Sequence, residues 1–338
     1  MARMSDVASL AGVSIATVSH VLNGTRTVAE PTRQRVQYAI AATGYRRNAA
    51  ARALVTASTG TIGLAISSAT NPYFGELVRA VETQARAAGL ALILGDTHDN
   101  CEIEFDVIEH LVGRQVDGLI LAPAAGSEHV SLPYLQRRDV PVVLVDRRAD
   151  IDCDQVVPEG VAATESLVFH LADLGHRRIG LVSALPGLTS SADRELGYRK
   201  AVGERGLDDD PGLVVTGNSS IDGARAATTA LLRAPRPPTA LVVANNAMTI
   251  GALHAMRDLR LRVPEDVALV SYDDFDWADV VQPRLTCVAQ DCVTMGREAV
   301  ALMVKRIGGS TAPAEYREIP TSFKHRNSCG CPDDEPGA

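Results

Sequence analysis

The chain has 338 residues, 46% of them hydrophobic, which is long and apolar enough for two or three compact units with cores of their own. Its formal net charge is −8, yet residues 1–60 hold Arg3, Arg26, Arg33, Arg35, Arg46, Arg47 and Arg52 against only Asp6 and Glu30, a net +5 that leaves −13 on the remainder. A basic head on an acidic body favours nucleic acid as the head's partner, no apolar run reaches the roughly eighteen residues of a membrane span, and six cysteines without a framework suit a reducing compartment. The start, Met1 to Asp6, lacks the apolar stretch of a secretion signal, so the cytoplasm is the expected location.

In chain order, Ser5 is placed to cap a first helix in which Met4, Val7, Ala8 and Ala11 share a face. Gly12 supplies a tight turn, and Ser14 caps a second helix with Val18, Val21 and Leu22 as its apolar stripe, ended by Asn23-Gly24. Two short helices around a glycine-containing turn form a helix-turn-helix pattern, whose second helix enters the DNA major groove. Pro31 opens a third helix that buries Val36, Ala39 and Ile40 and closes at Gly44. Asn48 to Leu54 is an alanine-rich stretch too short to be a stable helix alone.

From Thr61 onward, apolar runs alternate with helical periodicity. Residues 62–66, 91–95, 116–122 and 141–146 read as buried parallel strands, with helices over 73–88 and 101–114. A second series places strands at 178–183, 213–216, 240–245 and 267–272, with helices near 162–174, 191–205, 222–233 and 247–259. Such alternation predicts two doubly wound α/β lobes, whose ligands bind beyond the carboxyl ends of the strands. The polar residues expected there are Asp146, Asn245, Asn246 and Asp273, with Arg194 opening a helix and Tyr73 and Phe74 at the first strand–helix junction. Arginine and carboxylates suit polyol hydroxyls, and aromatic faces suit the apolar side of a sugar ring. Trp277 has two open readings, as a lining residue of the cleft or rim and as a packing residue. Cys329 and Cys331 stand one residue apart, which is not a zinc-knuckle spacing, so no metal role is expected of them.

The ordered pattern Asp6-Val7-Ala8, Ala11-Gly12-Val13-Ser14, Thr17 through Gly24, Gly44-Tyr45 and Asn48 through Leu54 resembles the signature of the lactose/galactose repressor family, and the similarity continues more loosely through nearly the whole chain. The resemblance implies a small all-α helix-turn-helix headpiece followed by a periplasmic-binding-protein-like core of two lobes. It implies a headpiece over 1–47, a hinge helix and linker over 48–60, one lobe from 61–160 with 290–320, the other from 161–289 with 321–330, and a disordered tail over 331–338. By the same resemblance, Ile15, Ala16 and His20 read bases, with His20 open to a base edge or a phosphate. Thr17, Ser19, Asn23 and Arg26 then contact phosphates, and Arg26 also has a base within its length. Asn48 and Arg52 belong to the hinge, and Leu54 is its wedge between base pairs in the minor groove. Effector binding falls to Tyr73, Phe74, Asp146, Arg194, Asn245, Asn246 and Asp273.

Three positions depart from the family's pattern: Leu188 stands where its purine-binding member places a basic residue, Glu159-Gly160 where many members have Asp-Asn, and Asn245-Asn246 where Asn-Asp is commoner. A sugar or sugar derivative is therefore expected before a purine. The tail lacks the leucine heptads of a tetrameric member, so a homodimer on a near-palindromic operator in double-stranded DNA is expected. No cofactor is expected. A transport solute-binding protein is disfavoured by the basic head, and a sugar-processing enzyme by the lack of a nucleophile–base pattern.

Overall fold

The computed structural model describes residues 2–23, 26–45 and 58–331, and the chain divides into two compact units, 1–59 and 60–338. No single helix among the described residues is long and apolar enough to cross a membrane.

The described residues of the first unit form three helices: α1 (Met4–Ala11), α2 (Ile15–Asn23) and α3 (Glu30–Thr43). Its core is Val7, Ala8, Ala11, Val18, Val36 and Ala39. Helix α1 starts two residues earlier than a Ser5 cap would place it. The Asp6 carboxylate accepts the Arg3 N–H (2.8 Å), so Ser5 lies within the first turn instead of capping it. Gly12 takes a left-handed φ of 64° that lets the chain turn, and Ser14 Oγ then accepts the Thr17 N–H (3.1 Å) as the cap of α2. Helices α1 and α2 meet at 102°, the angle expected of a helix-turn-helix pair. Asn48, Arg52 and Leu54 lie outside the described residues, as does the tail beyond Cys331.

The second unit contains two six-stranded sheets. One has the order β11-β5-β4-β3-β1-β2 and is parallel throughout. Its strands are β1 (Thr61–Ile66), β2 (Ala91–Asp96), β3 (Gly118–Leu121), β4 (Val142–Val145), β5 (Asp154–Pro158) and β11 (Tyr316–Ile319). Helices α4 (Pro72–Ala87), α5 (Cys101–Gly113), α6 (Ser131–Arg137) and α11 (Cys292–Ile307) cover it. The other has the order β12-β10-β9-β8-β6-β7, with only the β10–β12 pair antiparallel. It is built from β6 (Ile179–Ser183), β7 (Val214–Thr216), β8 (Ala240–Val243), β9 (Ala268–Tyr272), β10 (Thr286–Gln290) and β12 (Thr321–Lys324), with α7 (Val161–Asp173), α8 (Thr189–Glu204), α9 (Ile221–Leu232) and α10 (Asn246–Leu259). The chain passes between the lobes three times, after β5, after β10 and after β11.

Strands with continuous Val, Ile and Leu runs sit in sheet centres, where both faces are covered. Three sequence expectations are corrected here. Strand β2 is an edge strand with half-exposed residues, not a buried one. Helix α8 begins at Thr189, so Arg194 lies in its second turn and does not open it. Strand β5 was not expected at all, because Asp154 and Gln155 interrupt its apolar pattern. Both are buried with partners: Asp154 receives Arg306 Nε and Nη2 from α11 (2.6 and 2.8 Å), and the Gln155 amide bridges both polar groups of Ala149.

Candidate functional site

In the first unit, Ile15 and Ala16 project from the start of α2 into solvent, Ile15 with 53% of its surface exposed. The apolar Ile15 side chain is therefore accessible at the helix start, within a unit rich in arginine. Thr17, Ser19 and His20 on the same helix are half-buried, and Arg26 is exposed beyond it. The Thr17 hydroxyl sits 2.9 Å from that of Ser14, tying it to the helix cap. The Asn23 side chain is outside the described residues.

In the second unit, strand ends from both sheets converge on the cleft between the lobes. Asp146 follows β4 and Asp273 follows β9, and both take left-handed backbone conformations (φ 69° and 77°) that turn their carboxylates inward. The Tyr73 hydroxyl donates to Asp146 Oδ1 (2.6 Å). Burial, and then the charge of Asp146, pushes the Tyr73 phenol well up, so it keeps its proton as a donor. Phe74 packs edge-on to Tyr73, with ring centres 4.9 Å apart. Gln290 Nε2 donates to Asp273 Oδ1 (2.6 Å) and the Asn246 N–H to Asp273 Oδ2 (3.3 Å). Burial raises the Asp273 carboxyl, although Arg194 and these donors oppose it.

Arg194 lies flat over the Tyr272 ring, its guanidinium carbon 3.8 Å from the ring centre, and donates to the Ala244 carbonyl (2.6 Å). Burial works against its charge, but Tyr272, Asp273 and Asp146 leave its pKa raised, so it stays a cation. Asn245 caps α10 through the Met248 N–H (2.8 Å), and Asn246 Nδ2 reaches across the cleft to Asn71 Oδ1 (2.8 Å). All seven residues expected at an effector site, Tyr73, Phe74, Asp146, Arg194, Asn245, Asn246 and Asp273, are buried at these strand and helix ends.

The structure adds Arg147, Gln290, Asn71 and Tyr272. Arg147 pairs with Asp99 and with Asp146, and donates to Ser67 Oγ (3.2 Å) and the Pro123 carbonyl (3.2 Å). It follows Asp146 directly, and its position after a strand end was the signal available for it. Buried Arg194 Nε, Asn246 Oδ1 and Gln290 Oε1 have no hydrogen-bond partner among the described residues, which leaves donor and acceptor capacity at these positions. The space between Asp146, Arg194 and Tyr272 is only about 10 Å³, whereas a separate cavity of about 360 Å³ is bounded by Asn71, Phe74, Arg147, Asn245, Asn246 and Trp277, and another of about 370 Å³ by Tyr73, Asp273 and Gln290 among others. Trp277 thus lines the cavity while its ring packs 4.0 Å from that of Phe275. Leu188 is buried, and Glu159 caps α7 through the Ala162 and Ala163 N–H groups (2.6 and 2.7 Å).

Residues 3–48 match the model of bacterial regulatory proteins of the lacI family, and residues 168–329 match a periplasmic binding protein-like domain. The ribose operon repressor of Escherichia coli (strain K12) is 34% identical over 330 residues, covering 97% of this chain and 100% of that protein. Catabolite control protein A of Priestia megaterium is 33% identical over 329 residues, covering 96% of this chain and 98% of its own. Among solved structures, a Lac repressor dimer bound to operator and the anti-inducer ONPF superposes with a TM-score of 0.86 at 26% identity, covering 97% of this chain and 99% of that one. A complex of the transcriptional regulator CelR with cellobiose gives 0.74 at 30% identity, covering 97% and 100%.

Proposed function

The chain belongs to the lacI family of bacterial regulatory proteins, and from that premise we propose how its residues divide a repressor's work. It is a DNA-binding transcription regulator, not an enzyme, and its hold on operator DNA answers to a small molecule bound between two lobes. It works as a homodimer, whose two-fold axis matches a near-palindromic site, and its place of action is the cytoplasm.

Within the head, Ile15 and Ala16 meet thymine methyl groups, the readout open to apolar side chains, and His20 meets a base edge or a phosphate. Thr17, Ser19, Asn23 and Arg26 hold the phosphate backbone and so fix register. Asn48, Arg52 and Leu54 serve the hinge, with Leu54 as the minor-groove wedge. The exposure of Ile15 on a basic unit is what supports this assignment.

The effector is a small, uncharged polyol, a sugar or sugar derivative. One observation carries this: two carboxylates, two arginines and Asn246 are buried near Tyr73, Phe74 and Tyr272, with half-buried Gln290 bonded to Asp273. Paired donors and acceptors suit adjacent hydroxyls, and aromatic faces suit ring C–H groups. Buried, apolar Leu188 gives the rim no added charge for an anionic or basic ligand. Ribose is the first ligand to test, since one relative is a ribose operon repressor. Coupling runs through the lobes: Asn246 to Asn71, the Arg148–Asp193 ion pair and the Thr189 hydroxyl to the Arg148 carbonyl all bridge them. A sugar that favours this bridged arrangement over another shifts DNA affinity by its differential affinity for the two arrangements, and operator DNA shifts sugar affinity by the same factor.

Calorimetric titration of the full-length protein with D-ribose, other pentoses and hexoses tests the effector class. Saturable binding of one sugar, weakened by Asp273→Asn, supports it. Heat changes no larger than dilution for every sugar would remove it.

A further inference from the structure

The second lobe brings four metal-binding side chains to one point from distant parts of the chain. His170 lies on α7, His325 follows β12, and Cys329 and Cys331 lie in the segment that closes the lobe. One donor atom from each lies within 4.8 Å of all the others. Cys329 Sγ is 3.8 Å from His325 Nε2, and Cys331 Sγ is 3.8 Å from His170 Nε2. The two imidazoles stand edge to face with centres 5.2 Å apart. We propose that His170, His325, Cys329 and Cys331 form a tetrahedral site for one divalent, thiophilic cation per chain, Zn²⁺ foremost.

The donor set is two sulfurs and two imidazole nitrogens, which selects zinc over magnesium or calcium. With Zn–S near 2.3 Å and Zn–N near 2.0–2.1 Å, tetrahedral geometry sets neighbouring donors about 3.3–3.8 Å apart. The two sulfur–nitrogen pairs already stand at the upper end of that range, and small side-chain rotations close the remaining pairs. The surroundings fit a bound thiolate. Thr286 Oγ1 lies 3.3 Å from Cys329 Sγ, where a hydroxyl can donate to metal-bound sulfur, and Phe323 covers His170 with ring centres 5.3 Å apart. Four protein ligands leave no open position, so the site is structural and not catalytic. It fastens the last described segment to α7, closing a span of 161 residues between His170 and Cys331. The separation of the cysteines by one residue had argued against a metal. What overrides it is that the fold, not local spacing, supplies the two histidines.

The test uses the full-length protein, purified with a phosphine reductant and without chelator or metal-affinity resin. Elemental analysis is expected to give one zinc per chain. After stripping with EDTA, titration with Co²⁺ alone is expected to saturate at one equivalent, with the intense visible bands of tetrahedral cobalt and a near-ultraviolet thiolate charge-transfer band. Cys331→Ser and His170→Ala should each weaken Co²⁺ binding at least about 10-fold, and Zn²⁺ should raise the melting temperature of the parent but not of His170→Ala. Cys153→Ser, outside the cluster, should leave the spectrum unchanged. No stoichiometric uptake of either metal, weak octahedral cobalt bands, a Cys329–Cys331 disulfide persisting under reductant, or unaltered binding in both cluster variants would overturn the site. The stoichiometry and spectrum of the parent decide the matter even where a variant fails to fold.

Discussion

Asn71 Oδ1 accepts two hydrogen bonds at once: one from Asn246 Nδ2 in the opposite lobe (2.8 Å) and one from the Tyr73 N–H at the start of α4 (3.0 Å). A single amide thereby ties this arrangement of the lobes to the helix start that presents Tyr73 and Phe74. Lobe closure and the shape of the cleft are coupled by the same atom.

Asn71→Ala removes both bonds and Asn246→Ala only one. Loss of the cap should cost about 0.5–2 kcal/mol of stability in Asn71→Ala, with a smaller loss in Asn246→Ala, and both should weaken sugar binding. Urea unfolding and calorimetry measure the two effects. Equal stability losses in the two variants would deny Asn71 its double role.

Arg194→Ala deletes a buried cation that stacks on Tyr272 and whose Nε has no hydrogen-bond partner among the described residues. A hydrogen bond to a charged group is worth about 1.5–3 kcal/mol, so sugar binding should weaken roughly 10- to 150-fold. Operator binding without sugar should stay measurable. A sugar response equal to that of the parent would put the effector elsewhere.

Glu104 on α5 is fully buried and accepts the Ala124 N–H (2.6 Å). Burial raises its carboxyl above the usual range, although the nearby Ser127 and Ser131 hydroxyls and the Ala124 N–H pull the other way. Between the unfolded pKa, near 4.3, and the raised folded value, the folded chain holds a proton that the unfolded chain has released, so each rise in pH favours unfolding. Glu104→Gln removes that proton linkage. Its stability relative to the parent should rise across this window, by at most about 1.4 kcal/mol per pH unit. Unfolding free energies of both proteins from about pH 4 upward, starting at the unfolded pKa, check this, and a constant difference throughout would contradict it.

Ile15 is exposed, so Ile15→Thr should change folding stability by no more than about 0.5 kcal/mol. It should nevertheless alter which base is preferred at one position of each half-site. Selection from random duplexes with the parent and the variant reads this directly, and identical enriched sequences would mean that Ile15 does not read bases. Leu54→Ala should lose specific affinity far more than non-specific affinity, while equal losses would rule out the wedge.

The architecture was legible wherever burial is purely apolar. Runs such as Ile62–Ile66 and Ala240–Val243 announce central strands because nothing polar must be accommodated there. Strand β5 was hidden because its Asp154 is buried only by virtue of Arg306, a residue far along the chain. The strand-end carboxylates Asp146 and Asp273 could be found by the rule for doubly wound sheets, but Gln290 could not, because it becomes a cleft residue only through its bond to Asp273. Arg194 was assigned to the cleft, though not to its place in α8, since the helix start at Thr189 follows from a loop and not from an apolar period. The His170, His325, Cys329 and Cys331 cluster had no sequence signal, because its members meet only after α7 and the final segment pack together.

The most direct test is the affinity of the full-length protein for a duplex enriched from a random pool, measured with and without D-ribose and a panel of related sugars. The expected result is a near-palindromic duplex whose Kd shifts about 5- to 150-fold with one sugar, a shift lost in Arg194→Ala. No enriched sequence with or without the sugars, or a Kd that no sugar moves, would contradict a repressor controlled through this cleft.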